Sequence, residues 1–205
     1  MNRIVLIGDI HTEAELLATV IRWAEDAVVD RVISVGDVVD GPGDPLACID
    51  LLRTHNVDVV RGNHERWVVE GRPFESFDYT PLALAWMHAL PRTREYDTPA
   101  GRLLVGHGSG DDDMNGLEEH HEGYALQCLD ALWKVVRDGD YRWLVGGHTH
   151  RPMVRTIENL TVINPGTLVL TQEPGFMFVD FERAHVERWE LLPALRRTRT
   201  WSIED

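Results

Sequence analysis

Five short apolar runs in this chain of 205 residues each end in glycine followed by a side chain able to bind a metal ion. Residues 4–7 lead to Gly8 and Asp9, 32–35 to Gly36 and Asp37, and 57–60 through Arg61 to Gly62 and Asn63. Further on, 102–105 lead to Gly106 and His107, and 143–145 to Gly146, Gly147 and His148. A β-branched apolar run of this length reads as a buried strand, and glycine lets the chain turn sharply at its end. In open α/β sheets, ligands sit outside the carboxyl ends of the strands. The repeats therefore bring Asp9, His11, Asp37, Asn63, His64, His107, His148 and His150 toward one rim. Asp9 with His11, and His148 with His150, are two residues apart, which in extended backbone puts both side chains on one side.

The stretches between these runs alternate helix and strand in the first half. Leu16, Leu17, Val20, Ile21 and Ala24 have helical spacing over residues 12–27, with Thr12 and Glu15 placed to form a capping box. That helix returns the chain to a strand beginning at Arg31, a right-handed parallel βαβ unit. Asp44 and Pro45 form a cap and first-position pair for a helix over 45–55. Residues 66–90 read as a cap segment over the rim, with Trp67, Phe74, Phe77 and Tyr79 as core aromatics and a helix from Pro81 ending before Pro91.

A hairpin follows around residues 98–101. Then comes a polar loop over 108–123 with Asp111, Asp112, Asp113, Glu118, Glu119, His120, His121 and Glu122. It is expected to be mobile and solvated, with substrate contact or an extra cation as alternative roles. Residues 124–137 read as one helix. Short strands over 153–157, 161–163, 176–181 and 185–191 come next, and residues 193–205 read as a surface tail with Trp201 as an anchor. No repeat of fixed period and no linker interrupts this, so residues 1–205 read as a single domain. The expected fold is α/β: an α-β-β-α sandwich of two facing mixed sheets with helices outside.

Composition narrows the function classes. A formal charge of −14 repels polyanions, so sequence-independent nucleic-acid binding is not expected. No apolar run nears the roughly 18 residues of a membrane span, and residues 4–7 are too few for the apolar region of a signal peptide. A cytoplasmic protein is the expectation. Cys48 and Cys128 lie in amphipathic patterns and read as reduced core thiols, and no Cys-x-x-Cys suggests a zinc knuckle.

Imidazole nitrogen and oxygen without thiolate suit manganese, iron, cobalt or zinc better than calcium. One ion does not need so many ligands. Two ions about 3.5–4 Å apart do, with a carboxylate between them.

The ordered blocks Asp9-x-His11, Gly36-Asp37-x-x-Asp40, Gly62-Asn63-His64-Glu65, His107 and Gly147-His148-Thr149-His150 resemble the calcineurin-like metallophosphoesterases. Asn164-Pro165-Gly166-Thr167 also looks like a turn of that family, so the resemblance covers residues 4 to about 167. It implies one metal on Asp9, His11 and His150, a second on Asn63, His107 and His148, and Asp37 bridging them. The pair would be divalent, manganese first, with iron, zinc, cobalt or nickel as alternatives. A hydroxide between the ions would attack a phosphoester in a small phosphorylated substrate. His64 would stand on the leaving-group side as general acid or phosphate contact, with Asn63 also touching substrate and Asp40 orienting the His64 ring. Both phosphomonoesters and phosphodiesters remain open. Protein serine/threonine phosphatases of this family usually carry Arg after the second block, where this chain has Gly41. A protein phosphatase and a non-catalytic scaffold of the same fold are the alternatives to a small phosphoesterase.

Overall fold

The computed structural model describes residues 1–203. In chain order the elements are β1 (Arg3–Ile7), α1 (Ala14–Ala27), β2 (Arg31–Ser34), α2 (Pro45–Thr54), β3 (Asp58–Val59), α3 (Asn63–Val69) and α4 (Pro81–Ala89). Then come β4 (Arg94–Thr98), β5 (Gly101–Val105), α5 (Gly123–Gln127), α6 (Asp130–Asp138) and β6 (Trp143–Val145). The chain closes with β7 (Met153–Ile157), β8 (Leu160–Asn164), β9 (Gly175–Asp180), β10 (His185–Glu190) and β11 (Arg196–Ser202).

These strands make two mixed sheets. One has six strands in the order β11-β10-β9-β1-β2-β3, and the other has five in the order β4-β5-β6-β8-β7. The strands that precede candidate ligands run parallel within each sheet: β1, β2 and β3 in the first, β5 and β6 in the second. Alternation along β1 explains the layering. Ile4 and Leu6 join the apolar layer between the sheets with Ile33, Leu103, Val105 and Trp143. Val5 and Ile7 turn the other way, onto Leu17 and Ile21 of α1 and Ile49 and Leu52 of α2. Leu104 and Leu144 face outward from the second sheet onto Leu132 and Val136 of α6. The result is the expected α-β-β-α sandwich, because period-two strands with both faces apolar must be covered on both sides.

Local expectations fared unevenly. Asp44 caps α2 by accepting from the N–H groups of Leu46 and Ala47. Thr12 does not cap α1, which starts at Ala14; its hydroxyl accepts from Gly43 N–H at 2.8 Å and donates to the His11 carbonyl, tying two site loops together. The single helix over 124–137 is two, broken at Cys128 and Leu129. Periodicity missed the break because Leu126 and Leu129 pack on the same cluster as Leu132.

Residues 196–202 form β11, an edge strand paired with β10, and Trp201 packs against the layer between the sheets beneath the Arg199 guanidinium. Of the four aromatics expected in the core, Phe74 and Phe77 are exposed, while Trp67 and Tyr79 are half-buried. The acidic loop is anchored rather than free: Asp113 takes two hydrogen bonds from Arg66, at 2.6 and 3.1 Å. Among the described residues no helix is long and apolar enough to cross a membrane.

Cys48 is buried as expected, and burial pushes its thiol up to about 12. Cys128 is exposed, contrary to expectation, because it sits at the break between α5 and α6. A thiol-reactive chromophore should therefore label one thiol per chain rapidly in the native protein and the second only in denaturant. Rapid native labelling of two would contradict the packing of α2.

Candidate metal centre

The parallel strands of both sheets end at one rim, and the loops beyond them, with the start of α3, carry every candidate ligand. Backbone conformation there is costly. Among the described residues, eleven non-glycine positions have positive φ, and they include His11, Asp37, His148 and His150, together with Thr12 and Asp40 beside them. L-residues avoid this region, and such strain concentrates where side chains must be aimed against local preference. Gly62 is required for a different reason. A Cβ there would collide with the Asp37 backbone N and carboxylate, so only glycine lets the two loops approach.

The candidate ligands fall into two groups. Asp9, His11 and His150 place donor atoms within 4.8 Å of one another, and so do Asp37, His107 and His148. Asn63 joins the second group, its Oδ1 lying 2.9 Å from both His107 Nε2 and His148 Nδ1. Asp37 sits between them, with Oδ2 at 3.1 Å from His107 Nε2 and 4.0 Å from His11 Nε2. His148 and His150 thus part to different groups despite their spacing, because both lie in left-handed backbone rather than an extended strand.

Outer contacts fix which nitrogen faces the centre. His11 Nδ1–H donates to the Asp40 carbonyl at 2.7 Å, and His107 Nδ1–H donates to the Val35 carbonyl at 2.7 Å. His150 Nδ1–H donates to Gln172 Oε1 at 2.8 Å. The neutral tautomers these bonds select leave Nε2 lone pairs on His11 and His150 only 3.2 Å apart. Two lone pairs that close repel unless a proton or a cation lies between them. The donor set, the convergence and the fixed tautomers all fit a pair of divalent cations.

Electrostatics reflect the crowding. Burial raises the Asp9 carboxyl above its usual range. Burial works to raise Asp37 too, but His107, then His64 and His11, outweigh it and hold its carboxyl low. For His107, burial opposes the charged form while Asp37 and Asp9 overcome it, and the ring is pushed up to about 10. In the metal-free chain an imidazolium therefore balances the buried carboxylates, and a bound cation would replace that proton.

His64 stands at the edge of this centre. Its Nδ1–H donates to Asp40 Oδ2 at 2.8 Å, and its Nε2 faces inward, 3.8 Å from Asp37 Oδ2. Burial pulls the ring's pKa down, but Asp40 and Asp37 outweigh it and the net shift is upward. The Asp40 carboxylate also accepts from the backbone N–H groups of Phe74 and Glu75, so one carboxylate orients His64 and anchors the cap segment.

Three contributors escaped the sequence reading. Glu65, wholly buried, accepts from the N–H groups of Asp37, Val38, Val39 and Gly62. Burial and the nearby Asp37 push its carboxyl up to about 7. Its place in the Gly-Asn-His-Glu block was the available signal. Gln172 had none, since its contact to His150 spans 22 residues. The Asn164-to-Thr167 turn was noticed but not its work: Thr167 donates to the Asp9 carbonyl at 2.7 Å, and Asn164 donates to the Gly147 carbonyl at 3.0 Å. Glu118, His120 and His121 also converge, but on a solvent-facing loop with Arg151 and Arg155 against it, which disfavours a cation.

Comparison with known proteins agrees with this geometry. Residues 2–184 match the model of the calcineurin-like phosphoesterase superfamily domain. An uncharacterized protein of Methanocaldococcus jannaschii is 23% identical over 189 residues, covering 86% of this chain and 74% of that protein. Serine/threonine-protein phosphatase 1 of Salmonella typhimurium is 38% identical over 68 residues, 33% of this chain and 32% of that one. The structure of YfcE, a phosphoesterase from E. coli, superposes with a TM-score of 0.64 at 18% identity, covering 98% of this chain and all of that one, a likeness of fold.

Proposed function

This chain belongs to the calcineurin-like phosphoesterase superfamily, and from that premise we propose that it hydrolyses a P–O bond in a small phosphorylated substrate at a dinuclear centre. Asp9, His11 and His150 would hold one cation, Asn63, His107 and His148 the other, and Asp37 both. Two such cations, manganese first among them, would acidify water toward neutrality and neutralise charge on the phosphoryl oxygens. The single observation that carries the reading is the pair of facing Nε2 lone pairs, with Asp37 set between the two ligand groups.

The chain's own residues do the remainder. His64 holds a proton at Nε2, kept there by the Asp40 carboxylate on its other nitrogen, and gives it to the departing alkoxide. Asn63 and His64, adjacent at the start of α3, contact the phosphoryl group as it enters. An acidic surface keeps polyanionic nucleic acid away, which favours a small substrate. The proposed setting is the cytoplasm, where both free thiols stay reduced.

Incubation with Mn²⁺ and bis-p-nitrophenyl phosphate should release nitrophenolate. No turnover with any of several divalent metals, while metal is bound, would instead support a scaffold. His64→Ala should keep its metal and lose on the order of 10²-fold in rate, more with a poor leaving group than with nitrophenolate. An equal loss for both leaving groups would remove the proton-donor role.

A further inference from the structure

We infer that the substrate is an asymmetric phosphodiester, with an apolar or aromatic leaving alcohol seated against Phe74 and Leu170 and an uncharged, hydroxyl-bearing retained alcohol beside Arg151 and Glu173. This rests on the phosphoesterase reading and refines it.

Two cavities meet at the metal centre. The first, about 440 Å³, opens onto His11, His64 and His150, and its outer wall includes Pro42, Phe74 and Leu170. The second, about 510 Å³, begins at His148 and His150 and is walled by Thr149, Arg151 and Glu173. His150 and Gln172 line both, and their 2.8 Å hydrogen bond makes them a ridge between the two. A phosphorus atom at the centre has room for a substituent on each side. A monoester would fill only one.

The sides differ in chemistry. Phe74 is 75% exposed and Leu170 is 53% exposed, so neither is there to build the core. Phe74 is nonetheless held in place, because its backbone N–H donates to the same Asp40 carboxylate that orients His64. Its ring centroid lies 6.0 Å from that of His64. An alcohol departing toward His64 therefore departs along an apolar wall, where an aromatic or aliphatic group loses water favourably.

The other cavity pairs a donor with an acceptor. Arg151 Nε lies 3.4 Å from Glu118 Oε2, which partly neutralises its charge. The Glu173 backbone is pinned by the buried Arg188, which donates to its main-chain carbonyl at 2.7 Å. A guanidinium and a carboxylate that line one cavity suit hydroxyl groups, which accept from one and donate to the other. A second phosphate is disfavoured, since Arg151 is the one Lys or Arg lining either cavity among the described residues.

Three chromogenic esters test this with the Mn²⁺-loaded chain: p-nitrophenyl phosphate, methyl p-nitrophenyl phosphate, and the p-nitrophenyl ester of thymidine 5′-monophosphate. The value of kcat/KM should rise in that order, by about tenfold or more from the methyl to the thymidine diester. Arg151→Ala should cost the thymidine diester several-fold more than the methyl diester. Phe74→Ala should raise KM about tenfold with a smaller change in kcat, and Phe74→Tyr should restore it. Hydrolysis of the monoester alone, or equal losses for both diesters in Arg151→Ala, overturns the two-armed substrate and leaves the phosphoesterase reading standing. Hydrolysis of none of the three defeats both.

Discussion

Asp37→Asn should bind fewer than two Mn²⁺ per chain after equilibrium dialysis and should lose on the order of 10³-fold or more in kcat/KM on bis-p-nitrophenyl phosphate. The size follows from position. One Asp37 oxygen lies 3.1 Å from His107 Nε2 and 4.0 Å from His11 Nε2, so the carboxylate faces both ligand groups at once. Removing it would take a negative charge from between the two proposed cations and leave their repulsion unscreened. A metal pair there would supply several kcal/mol of transition-state stabilisation, and each 1.4 kcal/mol or so is about tenfold in rate. Asparagine is a better probe than alanine. The residue sits at φ 48°, where Asn is tolerated and alanine would add about 1–2 kcal/mol of backbone strain. The other Asp37 oxygen accepts from the His64 backbone N–H at 3.0 Å, a bond the Asn carbonyl can keep. Loss in Asp37→Asn therefore reports charge rather than collapse of the loop. Retention of two ions per chain at native affinity would mean that Asp37 bridges nothing.

How much of this was legible in the sequence depends on the range over which each cause acts. The strands and the two-sheet architecture were legible because burial on both faces writes itself as continuous apolar runs, as in residues 4–7 and 143–145. The gathering of the candidate ligands at one rim was legible because glycine followed each run. Assignment of His148 and His150 to separate groups was not legible from spacing, since alternation holds only in extended backbone and both residues adopt positive φ. The Thr12 hydroxyl read as a helix cap by local rules, but a partner 31 residues away, Gly43 N–H, takes it. Phe74 illustrates the opposite error. An aromatic in an irregular segment reads as core by default, and nothing local says that it lines the mouth of a site. Where a long-range polar contact or a functional exposure overrides local preference, sequence pattern alone misplaces the residue.

The second large effect belongs to Glu65, which touches no candidate ligand atom yet shapes the loop that carries Asp37. Each carboxylate oxygen accepts two backbone N–H groups: Oε2 takes Asp37 and Gly62, and Oε1 takes Val38 and Val39. All four donors lie in a buried region, so each one left without an acceptor costs about 1–3 kcal/mol. Glutamine has one acceptor oxygen. Whichever way its amide turns, two N–H groups face an NH₂ that cannot accept from them. Glu65→Gln should therefore lower the melting temperature by roughly 5–10 °C and Glu65→Ala by about twice that, at about 2–4 °C per kcal/mol for a chain this size. Loosening the turn at Asp37 should also weaken Mn²⁺ binding about 10- to 100-fold in Glu65→Gln, measured well below its melting point, as when a residue that orients a ligand is removed. Glu65→Asp separates reach from charge: it keeps both acceptor oxygens but is one methylene short of spanning the loops from α3, so it too should weaken Mn²⁺ binding. A Glu65→Gln protein that melts like the parent and binds Mn²⁺ as tightly would show that the four bonds only decorate a loop already fixed by its own backbone.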